Sequence, residues 1–225
     1  MAQGYEINDL GKEEAWRMFR IIGELVEGFD KLSTVERAVT IYGSARIKES
    51  DRLYSQTQEL GRRLGELGYA VITGGGPGLM EAANRGAQEA GAVSIGLNIT
   101  LPTEQRPNPY TTKTLTFDHF FARKVMLVKY AMAFVAMPGG LGTLDELSEV
   151  LTLMQTHKTR PFPVVLFDSG YWKGFVEWLR ADTLARGYIT AEDLDVLRVC
   201  DQSEEVVEIV RAWDTRQKIV GSKAL

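Results

Sequence analysis

A doubly wound α/β fold, in which helices cover both faces of a parallel sheet, is what this chain predicts, and three observations carry the prediction. Short apolar runs recur at residues 38–42, 70–72, 93–98, 114–117, 132–136, 164–167 and 196–199. Helix-sized segments separate most of them, which is the rhythm of βα units rather than of hairpins. Glycine-rich turns follow two of the runs directly, Thr73-Gly74-Gly75-Gly76-Pro77-Gly78-Leu79-Met80-Glu81 and Met137-Pro138-Gly139-Gly140-Leu141-Gly142-Thr143-Leu144-Asp145-Glu146. Each marks a place where the backbone leaves a strand and enters a helix within a few residues.

Taken in order, residues 6–31 carry Trp16, Phe19, Ile22, Val26 and Phe29 at three- and four-residue steps, which predicts an amphipathic helix ahead of the sheet. It serves either to pack on the core or to contact a second subunit. Residues 1–35 are therefore read as a helical extension and 36–220 as a single nucleotide-binding catalytic domain. The first run ends in Gly43-Ser44-Ala45-Arg46, the second and fifth end in the two glycine turns, and in such sheets ligands bind beyond the carboxyl ends of the strands. These three loops are thus expected to share one site. Residues 101–112, with Pro102, Pro107 and Pro109, read as an irregular loop, either a lid or a connector.

Composition narrows the chemistry. A net charge of −4 leaves no basic surplus for polymeric nucleic acid or an anionic membrane surface. Cys200 is the only cysteine, which excludes an internal disulfide and fits a reducing compartment. His119 and His157 are the only histidines, so a zinc site built on three histidines is impossible, and no metal and no cofactor are expected. With no apolar stretch long enough to span a bilayer and no leader pattern at the start, the expectation is a cytoplasmic protein.

The glycine turns suit an anion, because exposed N–H groups and the positive end of a helix dipole converge there. Gly75, Gly76, Gly139, Gly140, Gly142, Thr143 and Ser44 are the candidate phosphate contacts. Neither turn carries the Gly-Lys-Ser/Thr ending of a P-loop, and Asp145 stands where a dinucleotide fingerprint places glycine or alanine. No acidic residue ends the strand at 93–98 to hold an adenosine ribose, which weakens a dehydrogenase reading.

Projected at about 100° per residue, the helix after the second turn gathers Leu144, Leu147, Val150, Leu151 and Met154 on one stripe with Glu146 at its edge. Glu146 either satisfies the helix dipole or acts on whatever is attached to the bound phosphate. Arg123 and Lys124 stand among aromatic and aliphatic residues, where an unpaired charge is costly, so one of them is expected to meet a carboxylate or a ligand. Glu81 faces either a ligand hydroxyl or only its own helix dipole. Asp118 is open between an N-cap and a weak nominee for a general acid.

Pro138-Gly139-Gly140-x-Gly142-Thr143-x-x-Glu146, preceded by Arg123-Lys124 and by Gly74-Gly75-Gly76-Pro77-Gly78-Leu79-Met80-Glu81, resembles the LOG family of cytokinin-activating nucleotide phosphoribohydrolases, long labelled "possible lysine decarboxylase". The likeness runs from about residue 38 to residue 178, and the extension together with Glu81-Ala82-Ala83-Asn84-Arg85-Gly86 is similar to the bacterial type II branch. The resemblance implies a Rossmann-like fold, a homodimer or higher even oligomer, and metal-free hydrolysis of a nucleoside 5′-monophosphate such as AMP to free base and ribose 5-phosphate. It assigns catalysis to Arg123 and Glu146, and phosphate binding to Gly139, Gly140, Gly142 and Thr143, with Ser44 in the first loop. Gly43-Ser44-Ala45-Arg46 departs from the Gly-Ser-Ser pattern of the plant enzymes. Two rivals remain: a non-catalytic carrier of a phosphorylated ligand such as molybdenum cofactor, and a pyridoxal phosphate decarboxylase drawing on Lys124, Lys129 or Lys158.

Overall fold

The computed structural model describes residues 14–102 and 106–223. Along the chain run α1 (Glu14–Leu32), β1 (Ala38–Tyr42), α2 (Arg52–Glu66), β2 (Ala70–Thr73), α3 (Leu79–Glu89), β3 (Ser94–Ile99), β4 (Lys113–Phe117), α4 (Phe120–Lys129) and β5 (Ala131–Ala136). Then come α5 (Leu141–Gln155), β6 (Val164–Phe167), α6 (Ser169–Trp178), a π-helical stretch (Leu179–Leu184), α7 (Ala191–Leu194), β7 (Leu197–Cys200) and α8 (Ser203–Lys223). The seven strands form one sheet in the order β4-β3-β2-β1-β5-β6-β7, and every pairing is parallel. The expected doubly wound, Rossmann-like fold is what the chain adopts. The part of the expected first helix before Glu14 lies outside the described residues.

The central strands of the sheet are buried on both faces, and strand periodicity explains how. Along β1, Ala38 and Tyr42 enter one core with Leu32 of α1, Met126 of α4, Leu147 and Val150 of α5 and Trp172 of α6. Val39 and Ile41 point the other way, into a core with Leu60 and Leu64 of α2, Leu79 and Ala83 of α3 and Val206 and Val210 of α8. A strand buried on both faces reads as a continuous apolar run, which is why β1 and β6 match the ranges expected from sequence.

Two glycines set the spacing of α2 and α3. A Cβ on Gly61 would stand 2.3 Å from the Ala83 carbonyl oxygen, and one on Gly86 would stand 1.9 Å from that of Gln58. The helices cross at backbone contact. This draws the start of α3, and with it the first glycine turn, tightly over β1 and β2.

The chain leaves β1 toward β2, β3 and β4, then returns through α4 to enter β5 on the other side of β1. That reversal opens a crevice at the carboxyl ends of β1 and β5. The loops there are laced together by backbone: Met137 N–H donates to the Tyr42 carbonyl at 2.9 Å, Ser44 N–H to that of Pro138 at 3.1 Å, and Leu79 N–H to that of Ser44 at 3.0 Å. Gly78, at φ +70°, is obligatory in this lacing, since a Cβ would lie 2.5 Å from the Ser44 carbonyl oxygen.

Candidate active site

A cavity of about 640 Å³ occupies this crevice, lined by Gly43, Ser44, Ala45, Arg46, Met80, Arg123, Gly140, Leu141, Gly142, Thr143 and Glu146. Its floor is the start of α5. Gly140 is the N-cap and carries no side chain to satisfy the first amides of the helix, so those donors and the dipole are left for a ligand. Thr143, buried in the first turn, nests under Gly139, where a Cβ would stand 2.1 Å from its hydroxyl oxygen. Ser44 closes the opposite wall, its hydroxyl accepting from Arg46 N–H at 3.1 Å.

Glu146 projects from the next turn of α5 and is 13 % exposed. Burial pushes its carboxyl up to about 7 from the usual 4.5, with the Arg123 charge working in the opposite direction and Asp145 adding to the rise. Arg123 comes from α4 and donates through Nη2 to Glu146 Oε1 at 3.2 Å. Its Nε is buried without a partner, and its guanidinium lies 5.4 Å over the Phe120 ring. The arginine therefore lines the cavity while one of its buried donors is left unmatched. Lys124, one residue on, leaves for the outer side of the same helix and pairs with Asp145 at 2.9 Å and Glu149 at 3.3 Å. Each of the adjacent cations thus meets carboxylate, and only Arg123 lines the cavity.

Gly75, Gly76 and Glu81 do not line this cavity, although their turn reaches its wall, where a Cβ on Gly74 would stand 3.4 Å from Arg123 Nη1. The Gly75 N–H is held by the Thr73 hydroxyl at 2.9 Å, and Asn108 binds both glycine carbonyls, through its N–H to Gly75 at 2.9 Å and its side-chain amide to Gly76 at 3.1 Å. Asn108 also donates to Asn84, a fully buried hub that in turn bonds Thr73 and Ser94. The first glycine turn is thus folded against protein, and the irregular segment 106–112 acts as its clamp. Glu81 accepts from the Tyr54 hydroxyl at 2.9 Å, away from the cavity lining.

Two residues at the site fell outside the sequence reading of function. Arg46, exposed at the cavity mouth, ends the first loop, which the sequence placed at the shared site without giving this cation a role. Tyr171 donates its hydroxyl to the Gly139 carbonyl, and its neighbour Trp172 donates to that of Ala136 at 3.1 Å. Both are aimed by Asp168, which holds φ +80° while its carboxylate caps α6 on the Tyr171 N–H. Nothing in the local spacing announced this strap. Among the described residues, no group of three or more His, Cys, Asp or Glu is placed to hold a metal, and no helix is long and apolar enough to cross a membrane.

Known proteins with the same features are similar along most of the chain. The cytokinin riboside 5′-monophosphate phosphoribohydrolase LOG of Oryza sativa subsp. japonica is 28% identical over 179 residues, 76% of this chain and 71% of that one. The pyrimidine/purine nucleotide 5′-monophosphate nucleosidase of Escherichia coli K12 is 29% identical over 138 residues, 57% of this chain but only 30% of the longer enzyme. Among solved structures, the molybdenum cofactor carrier protein of Chlamydomonas reinhardtii superposes with a TM-score of 0.58 at 22% identity, covering 80% of this chain and 99% of that one, which speaks to fold. A family profile described as "Possible lysine decarboxylase" matches residues 80–210, from the start of α3 to the middle of α8. That span is more than half of the 225 residues, and the chain belongs to this family, the LOG family.

Proposed function

We propose that the cavity takes a nucleoside 5′-monophosphate and that Glu146, set against Arg123, hydrolyses its N-glycosidic bond to free base and ribose 5-phosphate. The observation that carries this reading is the buried Glu146 carboxylate, paired with Arg123 at 3.2 Å and with its pKa pushed upward by burial, in the second turn of a helix whose glycine N-cap leaves the first amides open. The phosphate is assigned to the first amides of α5 at Gly140, Gly142 and Thr143, with Ser44 and Arg46 beside it. C1′ then faces Glu146. As the C1′–N bond breaks, its electron pair leaves with the base and positive charge develops on the sugar, which a carboxylate at that point stabilises. Water adds to C1′; Glu146 orients it and accepts its proton, and that proton then passes to the departing base anion, which leaves free base and returns Glu146 to its carboxylate. A group titrating near neutrality suits that exchange. Gly75, Gly76 and Glu81 act indirectly here, by holding the loop over β1.

The names of the rice and Escherichia coli relatives support a nucleotide substrate and hydrolysis at the glycosidic bond. Among the described residues no lysine lines the cavity: Lys124 is committed to Asp145 and Glu149, and Lys129 lies over the Phe29 and Tyr130 rings, which speaks against Schiff-base chemistry there. A carrier of a phosphorylated ligand would use the same phosphate floor without turnover, and the two readings part on whether free base appears.

The pH dependence tests the role of Glu146. Burial raises its pKa, so the carboxylate form predominates above about pH 7 and falls about tenfold per pH unit below it. Turnover of AMP is expected to climb about tenfold per pH unit below that point and to level above it. A substrate phosphate also titrates near about pH 6, so the assignment is read from Arg123→Ala. Losing the charge that lowers the Glu146 pKa moves the limb upward, whereas a limb belonging to the phosphate stays in place. A profile flat from pH 5 to 9 would remove Glu146 from the chemistry.

We further propose a symmetric homodimer or higher even oligomer. Trp16, Phe19, Ile22 and Val26 on α1 are at least half exposed, as are Phe120 and Phe121 at the start of α4 beside it. Contiguous apolar surface of that kind marks a protein contact. Light scattering at micromolar concentration is expected to give a multiple of the 25.1 kDa chain mass, and a monomer mass would refute the assembly.

A further inference from the structure

One side chain of the N-terminal helix reaches the elements that build the cavity. Glu24 of α1 crosses to the start of α4, where Oε1 accepts the Asp118 N–H at 3.1 Å and lies 2.9 Å from His119 Nδ1. Its Oε2 accepts the His119 N–H at 3.3 Å. The N-cap of α4, His119, makes no capping bond of its own. A helix start has orphan N–H groups and partial positive charge, and a carboxylate placed there offsets both. Glu24 is 12 % exposed, so little water competes for these bonds. The two helices lie close because of Gly28, where a Cβ would stand 2.7 Å from Cε of Met126.

What α4 holds in place is Arg123. Its N–H bonds the carbonyl of His119 at 3.2 Å, the same residue whose N–H Glu24 holds. Its guanidinium then meets Glu146 at 3.2 Å. A continuous path of hydrogen bonds and covalent chain runs from Glu24 through the His119 peptide and Arg123 to the buried carboxylate.

We propose that Glu24 is a positioning residue for the reaction centre, anchoring the first turn of α4 so that Arg123 stays set against Glu146. The inference rests on the assignment of Arg123 and Glu146 to the catalytic cavity. The charged and titratable groups around Glu146 are Arg123 and Lys124 from α4, Asp145 and Glu149 from α5, and Tyr42 from β1. Arg123 is the largest influence favouring the ionised form. Loosening it leaves the burial penalty less opposed, and Glu146 then keeps its proton to higher pH.

The test is a ¹³C NMR titration of the Glu146 carboxyl, assigned by its loss in Glu146→Gln, in wild type, Glu24→Ala and Glu24→Gln, with kcat and KM for AMP measured in parallel. In Glu24→Ala the titration is expected to move upward by about 0.5 pH units or more, because a neighbouring arginine shifts a carboxylate by about one to three. Its kcat is expected to fall about tenfold, since sub-ångström misplacement of a catalytic group has effects of that order, with KM nearly unchanged. Glu24→Gln keeps one acceptor oxygen and is expected to lie between; where Glu24→Ala does not fold, it decides by the same readouts. Glu27→Gln, which loses only the exposed pair with Lys31, is expected to match wild type in both. A folded Glu24→Ala protein with an unmoved titration and wild-type kcat overturns the proposal. The NMR arm needs no turnover: a titration that moves in a protein that does not cleave AMP retains the positioning role and rejects the hydrolase reading. Cleavage of AMP with both readouts unmoved does the reverse.

Discussion

Glu146→Gln is expected to lose about 10²–10³ in turnover of AMP, to keep most of its affinity, and to fold more stably than wild type above neutral pH. The loss is the ordinary effect of deleting one electrostatic group that acts on the transition state. Affinity survives because the amide keeps the shape of the carboxylate and an oxygen for the Arg123 guanidinium at the same place. Stability follows from the sign of the pKa change. Burial raises the Glu146 carboxyl from 4.5 to about 7, so the folded state holds this proton more tightly than the unfolded chain does. The stabilisation from that proton is complete below the unfolded value and is lost as pH rises through about 7. A rise of this size corresponds to about 3 kcal/mol at 1.36 kcal/mol per pH unit. A glutamine never ionises, so Glu146→Gln is expected to be more stable by about 2–3 kcal/mol at pH 8, a gain that shrinks toward pH 5. Denaturant midpoints at the two pH values, beside single-substrate kinetics, read both effects. Near wild-type turnover in this variant would reduce Glu146 to a carboxylate that merely serves the end of its helix.

The sheet was legible in the chain wherever strands are buried on both faces, because apolar runs then have no polar interruption. Polar strand ends blurred the limits. Thr73 closes β2 as a buried threonine bonded to Asn84, and Cys200 ends β7 in the core, each one residue beyond the range expected from sequence. Val93, expected to open β3, is exposed and stands outside it, while Ile99 joins at the other end. Strand order rests on contacts between elements far apart in sequence, which no local pattern encodes.

The site was legible to the extent that its chemistry is local. Gly140, Gly142, Thr143 and Glu146 occupy one turn and the start of one helix, so their spacing alone places them together. Gly75 and Gly76 show the limit of that reasoning. A glycine turn in front of a helix looks the same in sequence whether its polar groups face a ligand or the protein, and here the partner is Asn108, on a segment about 30 residues downstream. Glu81 was open between two readings for the same reason, and Tyr54, on a neighbouring helix, takes it. Arg123 and Lys124 are adjacent in sequence but about 100° apart around α4, and that angle sends one to the cavity and the other to the outer carboxylates. The composition of the segment required a partner for a cation without saying which cation.

AMP is expected to exceed adenosine in specificity constant by at least about 10³. The open first turn of α5, the Thr143 hydroxyl and the exposed Arg46 offer donors to phosphate oxygens, and each charge-assisted hydrogen bond contributes about 1.5–3 kcal/mol. Three such bonds exceed the roughly 4.1 kcal/mol that a factor of about 10³ requires at 1.36 kcal/mol per tenfold. Binding at this unreacting end also holds C1′ against Glu146, so removing the phosphate is expected to lower kcat and not only raise KM. The deciding measurement is therefore the release of adenine from AMP and from adenosine by the wild-type protein under identical conditions. The account predicts adenine and ribose 5-phosphate in equal amounts from AMP and little product from adenosine; equal specificity constants for the two, or AMP bound but returned intact, would contradict it.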